Sequence, residues 1–165
     1  MTMNLLTYRL ATLTDFEDFY RIKCDKENIA WGGFTKAPER ESFYDWYVQQ
    51  LASDRRWIYL VYEENDCCAF FYIDKIGNET YEATSSGVLS NYTGKGIGTY
   101  ALAMQVSEIK QHNNSGGVFS WISDKNIASY KRYEKLGFVR TDEFEIRKLP
   151  LLGGEHKFYK WVKEF

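Results

Sequence analysis

The sequence predicts a single α/β domain in which helices pack on a mixed β-sheet. The 165 residues fit one domain, because a chain of this length buries roughly 70% of its unfolded surface. Only two prolines and no low-complexity stretch occur, so residues 1–165 are expected to form one domain without a linker. Three consecutive strands followed by alternating helices and strands give the order β-α-α-β-β-β-α-β-α-β-β, which is typical of a mixed sheet.

Composition narrows the class of protein. The net charge of -2 argues against a protein that coats nucleic acid. No apolar run approaches the roughly 20 residues that span a bilayer, and Met1 to Leu10 does not resemble a signal peptide. The three cysteines are expected to be reduced thiols of a cytoplasmic protein, and the two histidines lack the spacing of metal ligands.

The first third of the chain contains one predicted strand and two predicted helices. Leu5 to Leu10 has the pattern of a strand, and Thr14-Asp15-Phe16-Glu17 matches a capping box at the start of a helix. Residues 28–37 are expected to form a loop. Pro38 suits the first turn of the second helix.

The remaining elements follow from residue type and from the breaks between them. Strand-forming residues favour three consecutive strands, and the glycine pairs and Gly137 mark later boundaries. The predicted strands are Trp57–Tyr62, Cys68–Ile73, Thr80–Leu89, Val118–Ser123, Phe138–Arg147 and Lys157–Phe165, and the predicted helices are Gly98–Gln111 and Asn126–Leu136.

A glycine-rich segment, Gly94-Lys95-Gly96-Ile97-Gly98, joins a strand to a helix. Alternating glycines allow backbone N–H groups to converge, and the helix start adds partial positive charge. The segment therefore suits an anion such as a pyrophosphate, and Lys95 adds a charge. Its spacing excludes a Walker A loop and differs from the G-x-G-x-x-G of dinucleotide-binding folds. Asp124, near the end of the following strand, keeps a dinucleotide-binding redox protein as an alternative.

Two motifs in this region resemble those of the GNAT superfamily of acetyl-CoA-dependent N-acetyltransferases. Thr93 to Gly98 aligns with the [Q/R]-x-x-G-x-[G/A] loop, and Asn126 to Phe138 matches N-x-x-[A/S]-x-x-x-Y-x-x-x-G-F. The element order extends the resemblance over nearly the whole chain. It implies a GNAT-type, mostly antiparallel sheet with helices on both faces. At the [A/S] position of the second motif this chain has Ser129, and in this it resembles the RimJ/RimL branch of the family, whose members often have serine there.

The resemblance implies a site for acetyl-CoA as co-substrate. Backbone groups of Val88 and Leu89 would pair with the pantetheine arm, Asn126 would contact its end, and Tyr133 would lie beside the sulfur. Thr93 stands where the family has Gln or Arg, so we expect weaker cofactor binding unless Lys95 compensates. The pyrophosphate would lie on the loop formed by Thr93, Gly94, Lys95, Gly96, Ile97 and Gly98.

Three residues are candidates for the chemistry. Tyr133 is the candidate general acid, because its reference pKa of about 10 exceeds the value of about 8.5 for a thiol. Glu82 is the candidate base, acting directly or through water, although it can also be an ordinary solvated carboxylate. Ser129 would orient the substrate or relay a proton, or it would only hydrogen-bond its own helix.

The acceptor is expected over the segment that follows the first helix. Trp31, Phe34 and Trp46 are candidates to stack on a sugar or an aromatic amine, or alternatively are core rings.

The expected activity is acetyl transfer to a primary amine (a small molecule, an amino sugar or a protein N-terminus) by direct attack in a ternary complex. A non-catalytic acyl-CoA-binding module is the alternative, and the presence of Tyr133 favours the enzyme. The strand Phe158 to Phe165 would serve as an edge for a homodimer.

Overall fold

The computed structural model describes residues 4–112 and 116–165, and no helix in that part of the chain is long and apolar enough to cross a membrane. The strands are β1 Leu6–Leu10, β2 Arg56–Glu63, β3 Asp66–Lys75, β4 Thr80–Glu82, β5 Ser86–Val88, β6 Gly117–Ser123, β7 Val139–Lys148 and β8 Glu155–Glu164. The helices are α1 Phe16–Lys23, α2 Lys26–Trp31, α3 Arg40–Leu51, α4 Ile97–His112 and α5 Ile127–Lys135.

The strands form one sheet in the order β1-β2-β3-β4-β6-β8-β7, with β5 also paired to β3. Only the β4–β6 pair is parallel, and every other pair is antiparallel. This arrangement confirms the expected mixed, mostly antiparallel sheet.

Helices cover both faces of the sheet, as expected. Side chains alternate between faces along a strand, and β3 shows the alternation clearly. Phe70 and Tyr72 belong to a buried cluster with α1 and α3, which includes Phe19. The alternate residues of the strand, Phe71 and Ile73, belong to a second buried cluster on the opposite face, with α4 and α5.

The start of the chain differs from the sequence prediction in two ways. The predicted capping box at Thr14 is wrong, because the capping carboxylate is Asp15, which accepts from the Thr12 amide at 2.8 Å and from Arg9 at 2.7 Å. The predicted loop at 28–37 begins as the short helix α2. Its N-cap is Asp25, whose carboxylate accepts from the amides of residues 27 and 28.

The single strand predicted over residues 80–89 is instead two strands, β4 and β5. The β4–β6 ladder ends where the Ala83 amide donates to the Phe119 carbonyl at 2.9 Å. The Ala83 carbonyl accepts from the Ser120 hydroxyl at 2.8 Å, so a side chain takes the place of the next ladder bond. Beyond this point β5 pairs only with β3, while β6 pairs only with β8. The sheet therefore opens between β5 and β6.

The two edge strands of the sheet are β1 and β7, and β8 is not an edge strand. Because β8 is hydrogen-bonded to β6 on one side and to β7 on the other, the strand predicted over 158–165 has no free edge. The prediction that it serves as the edge of a dimer is therefore wrong.

Candidate active site

The opening between β5 and β6 forms a cleft of about 260 Å³. Side chains from α1, α2, α5 and the two diverging strands meet there. The lining residues are Lys23, Asn28, Trp31, Gly32, Phe70, Thr84, Ser85, Ser86, Ser120, Trp121, Ile122, Ser123, Asn126, Ser129, Tyr133, Arg147 and Phe158.

Tyr133 lines the cleft and has 7% of its surface exposed. Its hydroxyl oxygen is 3.2 Å from that of Ser120, and its ring meets Phe138 edge-on at 4.9 Å between centroids. Burial raises the pKa of Tyr133, while the Ser120 hydroxyl acts in the opposite direction. The phenol therefore remains protonated at neutral pH and can donate a proton. Ser120 was missed at the sequence level because a lone serine within a strand carries no pattern.

Asn126 and Ser129 line the same cleft as Tyr133, in keeping with their spacing of i, i+3 and i+7 on one helix face. The Asn126 side chain caps α5, because its Oδ1 accepts from the Ser129 amide at 3.3 Å. The cap therefore fixes where α5 begins and helps to orient the helix face on which Tyr133 lies.

The glycine loop is an open array of backbone donors. Gly94 and Gly96 both have a φ of +80°, and a Cβ added to either would meet nothing within 4 Å. Only glycine adopts this left-handed conformation without strain. Within the part of the chain that the structure describes, none of the amides of residues 94–99 donates to another protein group. Six consecutive amides at the start of α4 are thus available to an anion.

Arg132 of α5 supplies a cation next to this loop. A Cβ added to Gly98 would lie 2.7 Å from the Arg132 Cζ, so the glycine lets the guanidinium rest on the first turn of α4. The other side chains of the loop are already engaged: the Thr93 hydroxyl donates to the Ser90 carbonyl at 2.8 Å, and the Lys95 ammonium lies 3.7 Å from a Glu63 carboxylate oxygen. Sequence reasoning passed over Arg132, which occupies an unspecified position of the second motif.

The two backbone positions expected to hold the pantetheine arm differ. The Leu89 amide donates to the Cys68 carbonyl at 2.9 Å, and the Leu89 carbonyl accepts from the Tyr92 amide at 2.8 Å. Because bonding direction alternates along an antiparallel strand, the Val88 amide points away from β3 and toward the opening. The Val88 carbonyl accepts from the Asn28 side chain at 3.4 Å. Val88 is therefore the position with a free amide donor.

Glu82 lies on β4, opposite Asp74 of β3, and is not among the residues that line the cleft. Burial raises the pKa of Glu82 and Asp74 adds to the rise, while Thr84 and Arg147 act to lower it. Its carboxylate is thus a stronger base than an exposed glutamate.

The three aromatic residues expected to contact the acceptor lie in two neighbouring cavities. Trp31 lines the cleft, whereas Phe34 and Trp46 line a second space of about 550 Å³, here called the aromatic cavity. Lys23 and Asn28 line both and so form the boundary between them. No sequence motif indicated Lys23. In the described ranges, 4–112 and 116–165, no cluster of His, Cys, Asp and Glu is arranged to hold a metal ion.

Comparison with known structures finds the same fold in several acetyltransferases. Spermidine N-acetyltransferase from Vibrio cholerae, with CoA and spermine, superposes with a TM-score of 0.84 over 96% of this chain and 95% of the other, at 12% identity. The yncA protein of Salmonella typhimurium, with acetyl-CoA, gives 0.77 over 98% and 94% at 16% identity. Ribosomal-protein-alanine N-acetyltransferase from Brucella melitensis gives 0.79 over 96% and 99% at 17% identity. At these identities the likeness concerns the fold.

The sequence itself shows the family. No curated protein matches it significantly, but the profile of the Acetyltransferase (GNAT) family matches residues 16–138. The matched range includes the glycine loop, all of α5 and every residue that lines the cleft except Arg147 and Phe158. The chain is therefore a member of the GNAT acetyltransferase family.

Proposed function

We propose that this protein transfers the acetyl group of acetyl-CoA to a primary amine by direct attack within a ternary complex. The observation that carries the proposal is that α5 contacts the six free loop amides through Arg132 at Gly98 and also places the buried, protonated Tyr133 in the cleft. The amine class, whether small molecule, amino sugar or protein N-terminus, is decided by the acceptor side of the cleft.

The residues present fit acetyl-CoA. The amides of residues 94–99 and the Arg132 guanidinium suit its pyrophosphate, and the opening between β5 and β6 suits its extended arm. The side chain of Asn126 lines the cleft, where it would contact the end of this arm. Bound acetyl-CoA supplies an acetyl group activated as a thioester.

Four protein groups would act on the reaction. The Val88 N–H donates to the acetyl oxygen as negative charge develops there. Tyr133 holds a proton at its Oη and gives it to the sulfur as the carbon–sulfur bond breaks and the carbon–nitrogen bond forms. Glu82 accepts the proton that the amine loses, through water, because its side chain does not line the cleft. Ser129, on the same helix face as Tyr133, orients the amine.

Ser129 also supports a place near the RimJ/RimL branch. The similar structures include spermidine and ribosomal-protein-alanine acetyltransferases, so the shared fold is compatible with more than one acceptor class. The branch assignment rests on Ser129 alone.

The test is the effect of Tyr133→Phe on initial rates, with CoA release measured against a panel of amines. General-acid catalysis typically contributes 10² to 10⁴-fold, so we expect kcat to fall by about 100-fold or more while the acetyl-CoA dissociation constant changes little. Tyr130→Phe is the matched control, because Tyr130 lies on the same helix but stacks on Trp161 outside the cleft. Full turnover by Tyr133→Phe would refute the acid assignment.

The two alternatives give different results in the same experiments. A non-catalytic acyl-CoA-binding module would be stabilised against heat by acetyl-CoA but would release no CoA with any amine. A dinucleotide-binding protein would be stabilised by NAD instead, since a ligand raises the melting temperature only when it binds the folded state.

A further inference from the structure

The aromatic cavity lies directly beside the cleft and has the size of a small-molecule site. Its walls come from α1, α2, α3, β3 and the segment between α2 and α3. Its lining residues are Lys23, Asn28, Ile29, Phe34, Thr35, Lys36, Ala37, Pro38, Glu39, Phe43, Trp46 and Tyr72. Phe43 and Trp46 stack at 5.1 Å between centroids, so one wall is a flat apolar surface.

The charges around this cavity and the cleft are unbalanced. Lys23 and Lys36 line the cavity, and Lys23 also lines the cleft, where the other cation, Arg147, is already paired with Glu145. The one carboxylate among the lining residues is Glu39, which caps α3 by accepting from the Ser42 amide at 2.9 Å and the Ser42 hydroxyl at 2.7 Å. Its charge is thus already stabilised by its own helix, and the surface offered to a ligand is cationic.

Lys23 is the cation at the boundary of the two spaces. Its ammonium lies 4.9 Å from the centre of the Phe70 ring and 5.7 Å from that of Tyr72. No carboxylate of the described residues lies within ion-pair distance of it. Burial lowers the pKa of Lys23 to about 8, and the nearby Arg56 adds to the effect. A desolvated cation without a partner is costly, and an anionic ligand would relieve that cost.

Tyr72 is a second donor without a partner at the same place. Its residue is 4% exposed and its ring lines the aromatic cavity. In the described chain its buried hydroxyl has no hydrogen-bond partner. Burial raises the pKa of Tyr72, so the group remains a donor. An unsatisfied buried hydroxyl calls for an explanation, and a ligand with acceptor oxygens provides one.

We propose that the acceptor is a small α-amino acid with an apolar or aromatic side chain, whose carboxylate pairs with Lys23. The proposal rests on the acetyl transfer proposed above. The side chain of the amino acid occupies the aromatic cavity, its carboxylate lies at the boundary, and its amine, attached to the same carbon, reaches into the cleft toward Tyr133. A polycation such as the spermine seen with the Vibrio cholerae enzyme does not suit a surface lined by Lys23 and Lys36.

The experiment compares phenylalanine, tryptophan, methionine and leucine with their amides and their decarboxylated amines, and with spermidine. We expect kcat/KM for at least one amino acid to exceed that of its amide and its decarboxylated amine by about tenfold or more, which corresponds to about 1.4 kcal/mol. An amino acid amide has a less basic amine and is more often neutral, so chemistry alone would favour the amide. A preference for the acid must therefore come from binding of the carboxylate.

Lys23→Met tests the residue, since methionine keeps the apolar stem over Phe70 and Tyr72 while removing the charge. We expect the acid-to-amide ratio to fall toward one, with the acetyl-CoA dissociation constant retained as a measure of folding. The matched control is Lys26→Met, an exposed lysine of α2 that lines neither space and should keep the ratio of the unmodified protein. Tyr72→Phe should lower the ratio in the same direction by a smaller factor.

The outcomes separate this inference from the activity on which it rests. Transfer to spermidine or to decarboxylated amines with equal or higher kcat/KM overturns the inference and leaves acetyl transfer intact. Acetyl-CoA binding without transfer to any of these amino acids also overturns it, as does an unchanged ratio in Lys23→Met. Failure to bind acetyl-CoA would overturn the proposed function itself.

Discussion

The proposed cofactor side and the proposed acceptor side of the site are built in different ways. On the cofactor side the donors are backbone amides of residues 94–99 and Val88, set by glycine conformation and strand pairing. On the acceptor side the contacts come from side chains of α1, α3 and β3 that are distant in sequence, such as Lys23, Trp46 and Tyr72. Local backbone geometry thus forms one side of the site, whereas the packing of distant segments brings together the side chains of the other.

The largest effect expected on the cofactor side alone comes from Gly96→Ala. A left-handed conformation costs a residue with a Cβ roughly 1–2 kcal/mol, so the loop should change shape and turn its amides away from one another. We expect the acetyl-CoA dissociation constant, measured by calorimetry, to rise about 10- to 100-fold. The control is Gly153→Ala, because Gly153 also has a φ of +80° and open space around it but lies between β7 and β8. Equal loss of binding in both variants would contradict a backbone-built site.

A smaller effect is expected from Arg132→Met. A charge-assisted hydrogen bond contributes about 1.5–3 kcal/mol, so the dissociation constant of acetyl-CoA should rise about tenfold and become less sensitive to salt. Arg140→Met is the control. Arg140 belongs to β7, away from the loop, and its guanidinium lies over the ring of Tyr159 on β8. Unchanged affinity and salt dependence in Arg132→Met would mean that its guanidinium does not contact the pyrophosphate.

Thr93→Arg is expected to strengthen acetyl-CoA binding, in contrast to Gly96→Ala and Arg132→Met, which should weaken it. Because the Thr93 hydroxyl is engaged by the Ser90 carbonyl, an arginine at this position adds a donor that the loop lacks. We expect acetyl-CoA to bind a few-fold more tightly, and the gain to be larger when Arg132 is also replaced by Met. A dissociation constant that is unchanged in both backgrounds would show that threonine at position 93 does not weaken acetyl-CoA binding.

On the acceptor side the smallest effect concerns stability and pH. The pKa of Lys23 falls from its ordinary value of 10.5 to about 8 in the folded protein, so between these values the unfolded chain binds more protons. The free energy of unfolding should therefore rise with pH from about 8 to about 10.5, by about 1–3 kcal/mol after allowance for partial exposure. Denaturant titrations of Lys23→Met should lack this rise and those of Lys26→Met should keep it. Parallel curves for all three proteins would contradict a buried charge at Lys23.

The difference between the two sides also explains what could be predicted from the sequence. The glycine loop and the face formed by Asn126, Ser129 and Tyr133 are local patterns, so the resemblance to the family motifs, with which helical spacing agrees, was enough to single them out. The break between β4 and β5 was missed because it depends on the Ser120 hydroxyl meeting the Ala83 carbonyl, a contact between residues 37 positions apart. The position of β8 inside the sheet likewise depends on long-range pairing.

The acceptor side was predicted less well for the same physical reason. Trp31, Phe34 and Trp46 were singled out as aromatic residues, but their division between two cavities depends on how three helices pack. Lys23 gave no signal, because a lysine at the end of an amphipathic helix is ordinarily solvated. Only the packing of its ammonium against Phe70 and Tyr72 distinguishes it.

The central claim, acetyl transfer to an amine in this cleft, is tested most directly by the mass and stoichiometry of the products. One reaction containing protein, acetyl-CoA and the amine panel is analysed by mass spectrometry, and released CoA is counted in parallel. The account predicts one N-acetylated amine for each CoA released, with both products suppressed together in Tyr133→Phe. CoA release without an acetylated amine, or tight acetyl-CoA binding with no release for any amine, would contradict it.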